Sequence, residues 1–533
     1  MNSPDFFICS MMDNSHYSSD CRFDKNTNQR AGGTALGVGT SFTGYMSREI
    51  KWWIVYFMIY LLVYFPLLQR SGMHWDELFD AAGAANGTYI AAGRWGLALY
   101  RSVFGLGYMP WVSGIVAGGY IAAALVLHGR LLGIASGYGK FLYGALYVGC
   151  IQWAMQLQYS QQSDAVAFAL LCSTVSVYLL CKKQKFCQLF AVGLIVYACS
   201  VYQTSILYFL VLRLLTVVVS PVPIASEWRR YVREFCCVFI AGILYLVSSA
   251  VSKSLPIVPE EDLCYMHAIQ TGMSKWGEIL AAPSLSGKME LCLFYTVCYT
   301  KVIIKNLLGM TYEGQWVFCT AICPVIFLLR QYLLRKRDVI RAVLVLSIWV
   351  MPFMMTLVVM TDQGARVSLA EPLSVAGLWA LCLKNRNLSP TWRIVCVLFG
   401  GFVILKSEYR CAVIAEDEKN IYLSKMDNLR KLDARILSVA DSAQLSSPTI
   451  IYFGEVSSHV RNPYEKRWGQ RRDHRVLMIL PNGTFPDELS VNMRKGTPEE
   501  ACAYKGIVEK MPKWPEPGSV TCSGNTILVR FGE

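Results

Sequence analysis

The sequence predicts an all-α polytopic membrane protein with a small α/β domain at its C-terminus. Three observations lead to this fold class. Hydrophobic residues make up 54% of the 533 residues, long apolar runs repeat between residues 51 and 406, and the composition beyond Lys406 changes to that of a soluble domain. Charged residues reach only 16%, below the ~25% usual for soluble domains. The formal charge of +13 comes partly from Lys and Arg beside the apolar runs, where insertion and anionic lipid favour them, and is not a signal for nucleic-acid binding.

About eleven transmembrane helices are predicted, because each apolar run comes close to the ~20 residues that cross a bilayer. The predicted spans are 51–69, 109–128, 141–158, 163–181, 187–204, 206–222, 235–252, 316–333, 341–360, 371–386 and 391–406. A cytoplasmic N-terminus fits the positive-inside rule, since the short turns near 160 and 204 then lie outside and carry no Lys or Arg. The turns placed inside contain Lys182, Lys183, Lys185, Arg335, Lys336 and Arg337. An odd number of spans puts the C-terminus outside.

The chain is expected to divide into three parts. Residues 1–48 are polar and lack the apolar core of a signal peptide, which predicts a disordered cytoplasmic leader. Residues 49–406 form the transmembrane domain, with outer loops at 70–108 and 253–315. Residues 407–533 form a soluble extracytoplasmic α/β domain.

Local patterns within this C-terminal domain predict its elements. Apolar residues over 417–440 recur at helical spacing. Strand-like runs follow at 449–453, 475–480 and 526–530. Cys502 and Cys522 could pair in an oxidising compartment.

A cluster of carboxylates in outer loop 70–108 is the strongest candidate for chemistry. Asp76, Glu77 and Asp80 lie between two apolar runs, and residues four apart share one face of a helix. Charge held against a membrane face is costly and usually marks function. The arrangement suits a general base or a metal site, and we assign Asp76 as the base toward an acceptor hydroxyl, supported by Glu77 and Asp80. The alternative is a solvated amphipathic helix beside the membrane.

Two arginines stand alone on otherwise apolar outer surfaces. Arg94, which precedes Trp95, and Arg366 could each bind a phosphate group bidentately. The alternative is snorkelling toward the phosphates of the surrounding lipid. Tyr202 and Gln203 form a turn on the same side, and an amide beside an aromatic ring suits sugar hydroxyls, although ordinary turn chemistry explains it equally.

The nineteen cysteines are scattered and show no CxxC pair with zinc spacing. No metal cluster is therefore predicted, while a divalent cation that assists catalysis is left open.

The segment from Asp76-Glu77 through Gly93-Arg94-Trp95 resembles the phage- and plasmid-type O-antigen glucosyltransferases of bacteria. These are polytopic enzymes of the GT-C class with an acidic motif in the first extracytoplasmic loop. The Tyr202-Gln203 turn, the long outer loop and the soluble tail are also similar to that family. Its members often show two adjacent aspartates where this chain has Asp76-Glu77, so the choice of catalytic carboxylate between the two is open.

The resemblance implies transfer of a hexose, glucose in that family, from a polyprenyl-phosphate donor to a lipid-linked O-antigen or other surface polysaccharide. Such lipopolysaccharide modification underlies serotype conversion. The reaction would take place on the outer side of the bacterial inner membrane, with the C-terminus in the periplasm. It would be a single inverting displacement in which Asp76 accepts the proton and Arg94 or Arg366 stabilises the leaving phosphate.

Other functions remain as alternatives. Another GT-C transferase could act on lipid A or on a protein. A flippase or carrier for a lipid-linked sugar should place ionisable residues near the bilayer midplane, whereas the charges here gather at one face, with Arg213 as the main exception. An O-antigen polymerase is disfavoured by the soluble C-terminal domain.

Overall fold

The chain divides into two compact units, Met1–Lys51 and Trp52–Glu533. In the first unit, residues 37–51 are helical. The computed structural model describes residues 37–69, 85–104, 110–182, 184–256, 258, 263–264, 275–311, 315–335, 337–361, 364–384, 388–445, 448–454, 493–495 and 497–531. Predicted site residues Asp76, Glu77 and Asp80 and the predicted strand 475–480 lie outside these ranges.

Helices dominate the described residues up to Ser442. In chain order they are α1 Gly37–Leu68, α2 Ala85–Ala91, α3 Trp95–Phe104, α4 Pro110–Leu132, α5 Gly137–Val148, α6 Ile151–Leu157, α7 Ser160–Leu180, α8 Lys185–Val201, α9 Ser205–Val219, α10 Trp228–Lys253, α11 Trp276–Ala281, α12 Leu285–Leu307, α13 Trp316–Cys319, α14 Ile322–Arg330, α15 Val339–Val350, α16 Met354–Val359, α17 Glu371–Leu383 and α18 Pro390–Ser442. Short 3-10 segments join several of them, at Ile224–Glu227, Met351–Phe353 and Ala365–Val367.

Six helical segments among the described residues are long and apolar enough to cross a membrane. They are Arg48–Leu68, Trp111–Leu132, Ser160–Leu180, Ile224–Lys253, Trp316–Arg335 and Val339–Val359. This confirms a helical membrane protein but not the expected count of about eleven spans. Three further apolar helices, α8, α9 and α17, coincide with predicted spans, but each has fewer than the ~20 residues needed to cross alone.

Helix α1 separates a packed face from an outward face. Tyr56, Tyr60 and Tyr64 are buried, and the Tyr60 hydroxyl donates to the carbonyl of Gly114 in α4 at 2.9 Å. Met58 and Leu62 are more than half exposed, as expected for side chains that face lipid. The helix begins at Gly37, so residues 37–48 of the predicted disordered leader are helical. Extending an existing helix costs little once its first turn has formed.

The predicted span 141–158 is two helices, α5 and α6, with a break at Gly149 and Cys150. A Cβ atom at Gly149 would lie 2.4 Å from Cγ1 of Val403 and 3.1 Å from Oγ of Ser407. The Ser407 hydroxyl donates to the Gly149 carbonyl at 2.8 Å. Close approach of α18 therefore requires glycine here, and the hydroxyl satisfies a carbonyl that the break exposes.

Residues 253–315, treated as an outer loop in the sequence, contain the 23-residue helix α12. Its beginning is defined by Ser284, whose hydroxyl accepts a hydrogen bond from the Gly287 amide at 3.0 Å. A search for uncharged apolar runs misses this helix because it contains four charged residues, Lys288, Glu290, Lys301 and Lys305.

The boundary expected at residue 407 lies inside α18, which has 53 residues and runs unbroken to Ser442. The predicted helix over 417–440 is confirmed as its second half. Leu429, Leu432 and Ile436 on this half pack against Ile450 and Ile527 of the terminal sheet.

The expected small sheet is confirmed, including predicted strands 449–453 and 526–530. Its strands are β1 Thr449–Phe453, β2 Met493–Lys495, β3 Val520–Ser523 and β4 Thr526–Arg530, and they lie in the order β2-β1-β4-β3. β1 is parallel to β2 and β4, while β3 and β4 form an antiparallel hairpin. Two short helices, α19 Pro498–Ala503 and α20 Lys505–Val508, precede the hairpin. The possible pairing of Cys502 with Cys522 is absent, since both are free thiols in the structure.

A network of ion pairs joins α9 to the beginning of α10. Nη2 of Arg213 lies 2.5 Å from Oε2 of Glu234, and Nε of Arg230 lies 2.9 Å from Oε1 of the same carboxylate. Glu227 adds a second partner for Arg230 at 3.2 Å. Arg213, the exceptional charge within an apolar run, is thus neutralised by a neighbouring helix, as a charge in a membrane bundle requires.

Candidate active site

The framework around the predicted site consists of four chain segments at helix ends. They are the turn between α2 and α3 at residues 92–94, the turn between α6 and α7 together with the beginning of α7 at 158–162, the turn between α8 and α9 at 202–204, and the 3-10 segment Ala365–Val367. Hydrogen bonds, ring contacts and helix packing link each of these segments to at least one of the others. The carboxylates Asp76, Glu77 and Asp80 precede the first turn in sequence and lie outside the described residues.

The turn at 92–94 is fixed by groups from two other elements, the α8–α9 turn and α10. Gln203 Nε2 donates to the Ala92 carbonyl at 3.0 Å, and the Tyr245 hydroxyl donates to the Gly93 carbonyl at 3.3 Å. Gly93 has a φ of +77°, a conformation that side chains with a Cβ rarely adopt. Trp95 Nε1 donates to Ser248 Oγ at 3.2 Å. Predicted site residues Trp95 and Gln203 therefore act as supports for the position of Arg94 in this structure.

Arg94 joins the turn at 158–162 to the turn at 202–204. Its Nη1 donates to Oε1 of Gln162 at 3.4 Å, and its guanidinium carbon lies 5.0 Å from the centre of the Tyr202 ring. A cation over an aromatic face is attracted by the ring quadrupole. The buried Nε of Arg94 has no hydrogen-bond partner among the described residues.

Arg366 contacts the same turn from another side. Its guanidinium carbon lies 4.1 Å from the centre of the Tyr159 ring. The 3-10 segment that carries Arg366 packs against α6. Two arginines separated by more than 270 positions in sequence thus pack on residues three apart, Tyr159 and Gln162.

A third arginine, which the sequence analysis missed, lies beside them. Arg101 in α3 forms a bidentate ion pair with Asp164, with distances of 2.5 Å from Nη2 to Oδ1 and 3.2 Å from Nη1 to Oδ2. The side chains of Arg101 and Asp164 are 7% and 0% exposed. Arg101 also donates to the carbonyls of Ser160 and Gln161. Asp164 could have indicated this arginine from the sequence, because a carboxylate inside an apolar helix needs a cationic partner.

Among the described residues, no group of three or more His, Cys, Asp or Glu could hold a metal ion. The described part of the site instead offers arginines, amides and hydroxyls, together with one carboxylate, Asp164, that is paired with Arg101.

The six candidate spans define a polytopic membrane protein, in which Arg94 and Arg366 lie beside helix ends against aromatic rings. Residues 73–383 match the family model of the glucosyl transferase GtrII, and the chain belongs to this family. The protein is accordingly a glucosyltransferase, and the resemblance seen in the first loop is confirmed. No curated protein matches the chain. No solved structure matches it either.

The matched range contains every predicted site residue, from Asp76 to Arg366, and ends at the last residue of α17. Helix α18 and the terminal sheet follow the matched range.

Proposed function

We propose that this glucosyltransferase moves glucose from a polyprenyl-phosphate donor to a lipid-linked O-antigen or another surface polysaccharide. The reaction takes place at the outer face of the bacterial inner membrane. The N-terminus is cytoplasmic, and α18 carries the terminal domain into the periplasm. The observation that supports this proposal best is the contact of Arg94 and Arg366 with one turn, through Gln162 and Tyr159.

These two arginines suit a phosphate that gains charge during the reaction. When the bond between the anomeric carbon and the donor phosphate breaks, the leaving phosphate monoester acquires negative charge. A guanidinium presents a planar pair of donors that matches phosphate oxygens. The unpartnered Nε–H of Arg94 is available for such an oxygen within the described part of the site. Preorganised donors of this kind lower the barrier because they need no reorganisation as charge develops.

The transfer is a single displacement. An acceptor hydroxyl oxygen attacks the anomeric carbon while the carbon–oxygen bond to the phosphate breaks. The proton of the hydroxyl passes to the carboxylate of Asp76, and polyprenyl phosphate leaves. One displacement inverts the anomeric configuration. Glu77 and Asp80 support Asp76 as neighbouring carboxylates, and a divalent cation bound by the three is compatible with the same step.

Ion pairing inside the bundle favours an enzyme over a carrier. Arg101, which is buried, and Arg213, which is partly buried, each have a carboxylate partner, Asp164 and Glu234. A carrier that moves an anionic lipid needs cations that the substrate can reach at the midplane. Arg94 and Arg366, which contact the rings of Tyr202 and Tyr159, lie at helix ends instead.

The proposal is tested by measuring glucosyl transfer by the purified protein in detergent, with radiolabelled polyprenyl-phosphate glucose as donor and a lipid-linked polysaccharide as acceptor. The wild type should form glucosylated acceptor with inverted configuration at the anomeric carbon. Asp76→Asn should lower the rate by about 100-fold or more, the usual contribution of a general base, and Glu77→Gln should have a smaller effect. Asp427→Asn, at an exposed ion pair on α18, is the matched control and should retain full activity.

Three outcomes would change the proposal. Full activity of Asp76→Asn together with an inactive Glu77→Gln would exchange the two roles. Product on lipid A or on a protein, but not on polysaccharide, would keep the enzyme and replace its acceptor. Movement of the lipid-linked sugar across vesicles without any covalent product would establish a carrier.

A further inference from the structure

Two glutamine side chains near the arginines are buried without hydrogen-bond partners. Gln156 in α6 is 0% exposed and Gln161 in α7 is 6% exposed. Within the described part of the chain, neither the amide nitrogen nor the amide oxygen of either side chain has a partner. The same holds for the hydroxyls of Thr204 and Ser205. Leaving buried polar groups unpaired costs free energy, so such groups usually meet a ligand or water.

These four side chains lie in or beside the turns that the arginines contact. The Gln156 carbonyl accepts a hydrogen bond from the amide of Tyr159, whose ring contacts Arg366, at 3.1 Å. Gln161 is held through its backbone, because its carbonyl accepts a hydrogen bond from Arg101 Nε. Its neighbour Gln162 accepts the hydrogen bond from Arg94. Thr204 and Ser205 directly follow Gln203, which fixes the turn that carries Arg94. The unpaired groups therefore lie on the same assembly as the proposed phosphate-binding arginines.

The chemistry of the unpaired groups selects the class of ligand. Each glutamine amide offers an NH₂ donor and a carbonyl acceptor, and each hydroxyl of Thr204 and Ser205 can do either. A phosphate oxygen only accepts, so a phosphate would leave both amide oxygens unpaired. A sugar hydroxyl donates and accepts at once and satisfies both kinds of group.

We propose that Gln156, Gln161, Thr204 and Ser205 bind hydroxyl groups of the glucosyl unit while the arginines hold its phosphate. This inference rests on the proposed function and assigns the sugar subsite within it. It also gives these residues a role in specificity. A buried site that pairs with a hydroxyl discriminates strongly against an analogue in which that hydroxyl is missing or misdirected, because the protein groups are then left unpaired.

The test compares Gln156→Leu and Gln161→Leu with wild type. Leucine is close to glutamine in size and has no polar atoms. Each variant should raise KM for polyprenyl-phosphate glucose by about 10-fold, the loss expected for one or two hydrogen bonds to the sugar. Each should also reduce the preference for glucose over its 4-epimer galactose, measured as the ratio of the two kcat/KM values. Gln184→Leu, at the opposite end of α8 from Tyr202 and exposed, is the matched control.

Thermal unfolding of the substrate-free protein separates sugar binding from a structural role. Removing an unpaired polar group from a buried position should leave the melting temperature unchanged or raise it. Unaltered KM and sugar preference in active variants would overturn the assignment of the subsite while the proposed function stands. No glucosyl transfer by the wild type would reject the proposed function and the inference with it. Gln156→Met and Gln161→Met provide the same comparison if a leucine variant is not recovered from membranes.

Discussion

The buried ion pair between Arg101 and Asp164 predicts a large and asymmetric response to mutation. Arg101→Leu removes the cation and leaves a carboxylate with 0% side-chain exposure among the first turns of α7. It also removes the donor to the carbonyls of Ser160 and Gln161. We expect the variant to lose about 3–5 kcal/mol of unfolding free energy, the cost of leaving one member of a buried pair uncompensated.

The double variant Arg101→Leu with Asp164→Leu isolates the cause of that loss. Both charges are then absent, and replacing a buried pair by apolar groups is often neutral or stabilising. The two carbonyls still lack their donor, so recovery should fall short of wild type by about 1–3 kcal/mol. The double variant should therefore be more stable than the single variant, although it carries more substitutions.

Denaturant-induced unfolding in micelles, followed by loss of helical circular dichroism, measures these differences. Lys431→Met is the control, because the Lys431–Asp427 pair is more than 60% exposed on both sides and should contribute less than about 1 kcal/mol. A cost for Arg101→Leu no larger than that of Lys431→Met would refute the reasoning. A double variant less stable than Arg101→Leu would show that the carboxylate is not the destabilising group.

Two further results are expected. Arg366→Lys should lower glucosyl transfer by about 10-fold or more, because an ammonium cannot replace a planar bidentate donor in the transition state; the control Arg335→Lys should be unaffected, and equal rates for the two variants would remove Arg366 from the phosphate site. A periplasmic reporter fused after residue 450 should be active and one fused near Lys183 inactive, because basic turns stay in the cytoplasm; the reverse pattern would invert the proposed orientation.

The sequence predicted elements whose signal is local. The strands at 449–453 and 526–530 show β-branched and apolar runs beside turn residues, and both were confirmed with the bounds that the pattern indicated. The break between α5 and α6 was not predictable in this way. It depends on the contact of Gly149 with Val403 and Ser407, more than 250 positions away, and a hydropathy window contains no information on such distant partners.

Composition indicates the environment of a residue rather than its secondary structure. The change near Lys406 from apolar to charged residues suggested a domain boundary, yet the helix continues because charged residues such as Glu, Lys and Arg are good helix formers. In the site, isolated cations pointed to Arg94 and Arg366. Arg101 was not assigned to the site because the segment 70–108 was interpreted as one loop, although it contains α3.

Helix α18 determines how the terminal sheet is rotated about the helix axis. Its 53 residues extend over about 80 Å at 1.5 Å per residue, far more than the ~30 Å hydrocarbon layer. Every residue inserted or removed between Lys406 and Leu429 turns everything beyond it by about 100°. A deletion of seven residues shortens the helix by about 10 Å but leaves the sheet in nearly the same orientation about the helix axis, because seven residues are close to two full turns. The number of residues in this part of the helix therefore sets both the distance of the terminal sheet from the membrane-spanning half and its rotation about the helix axis.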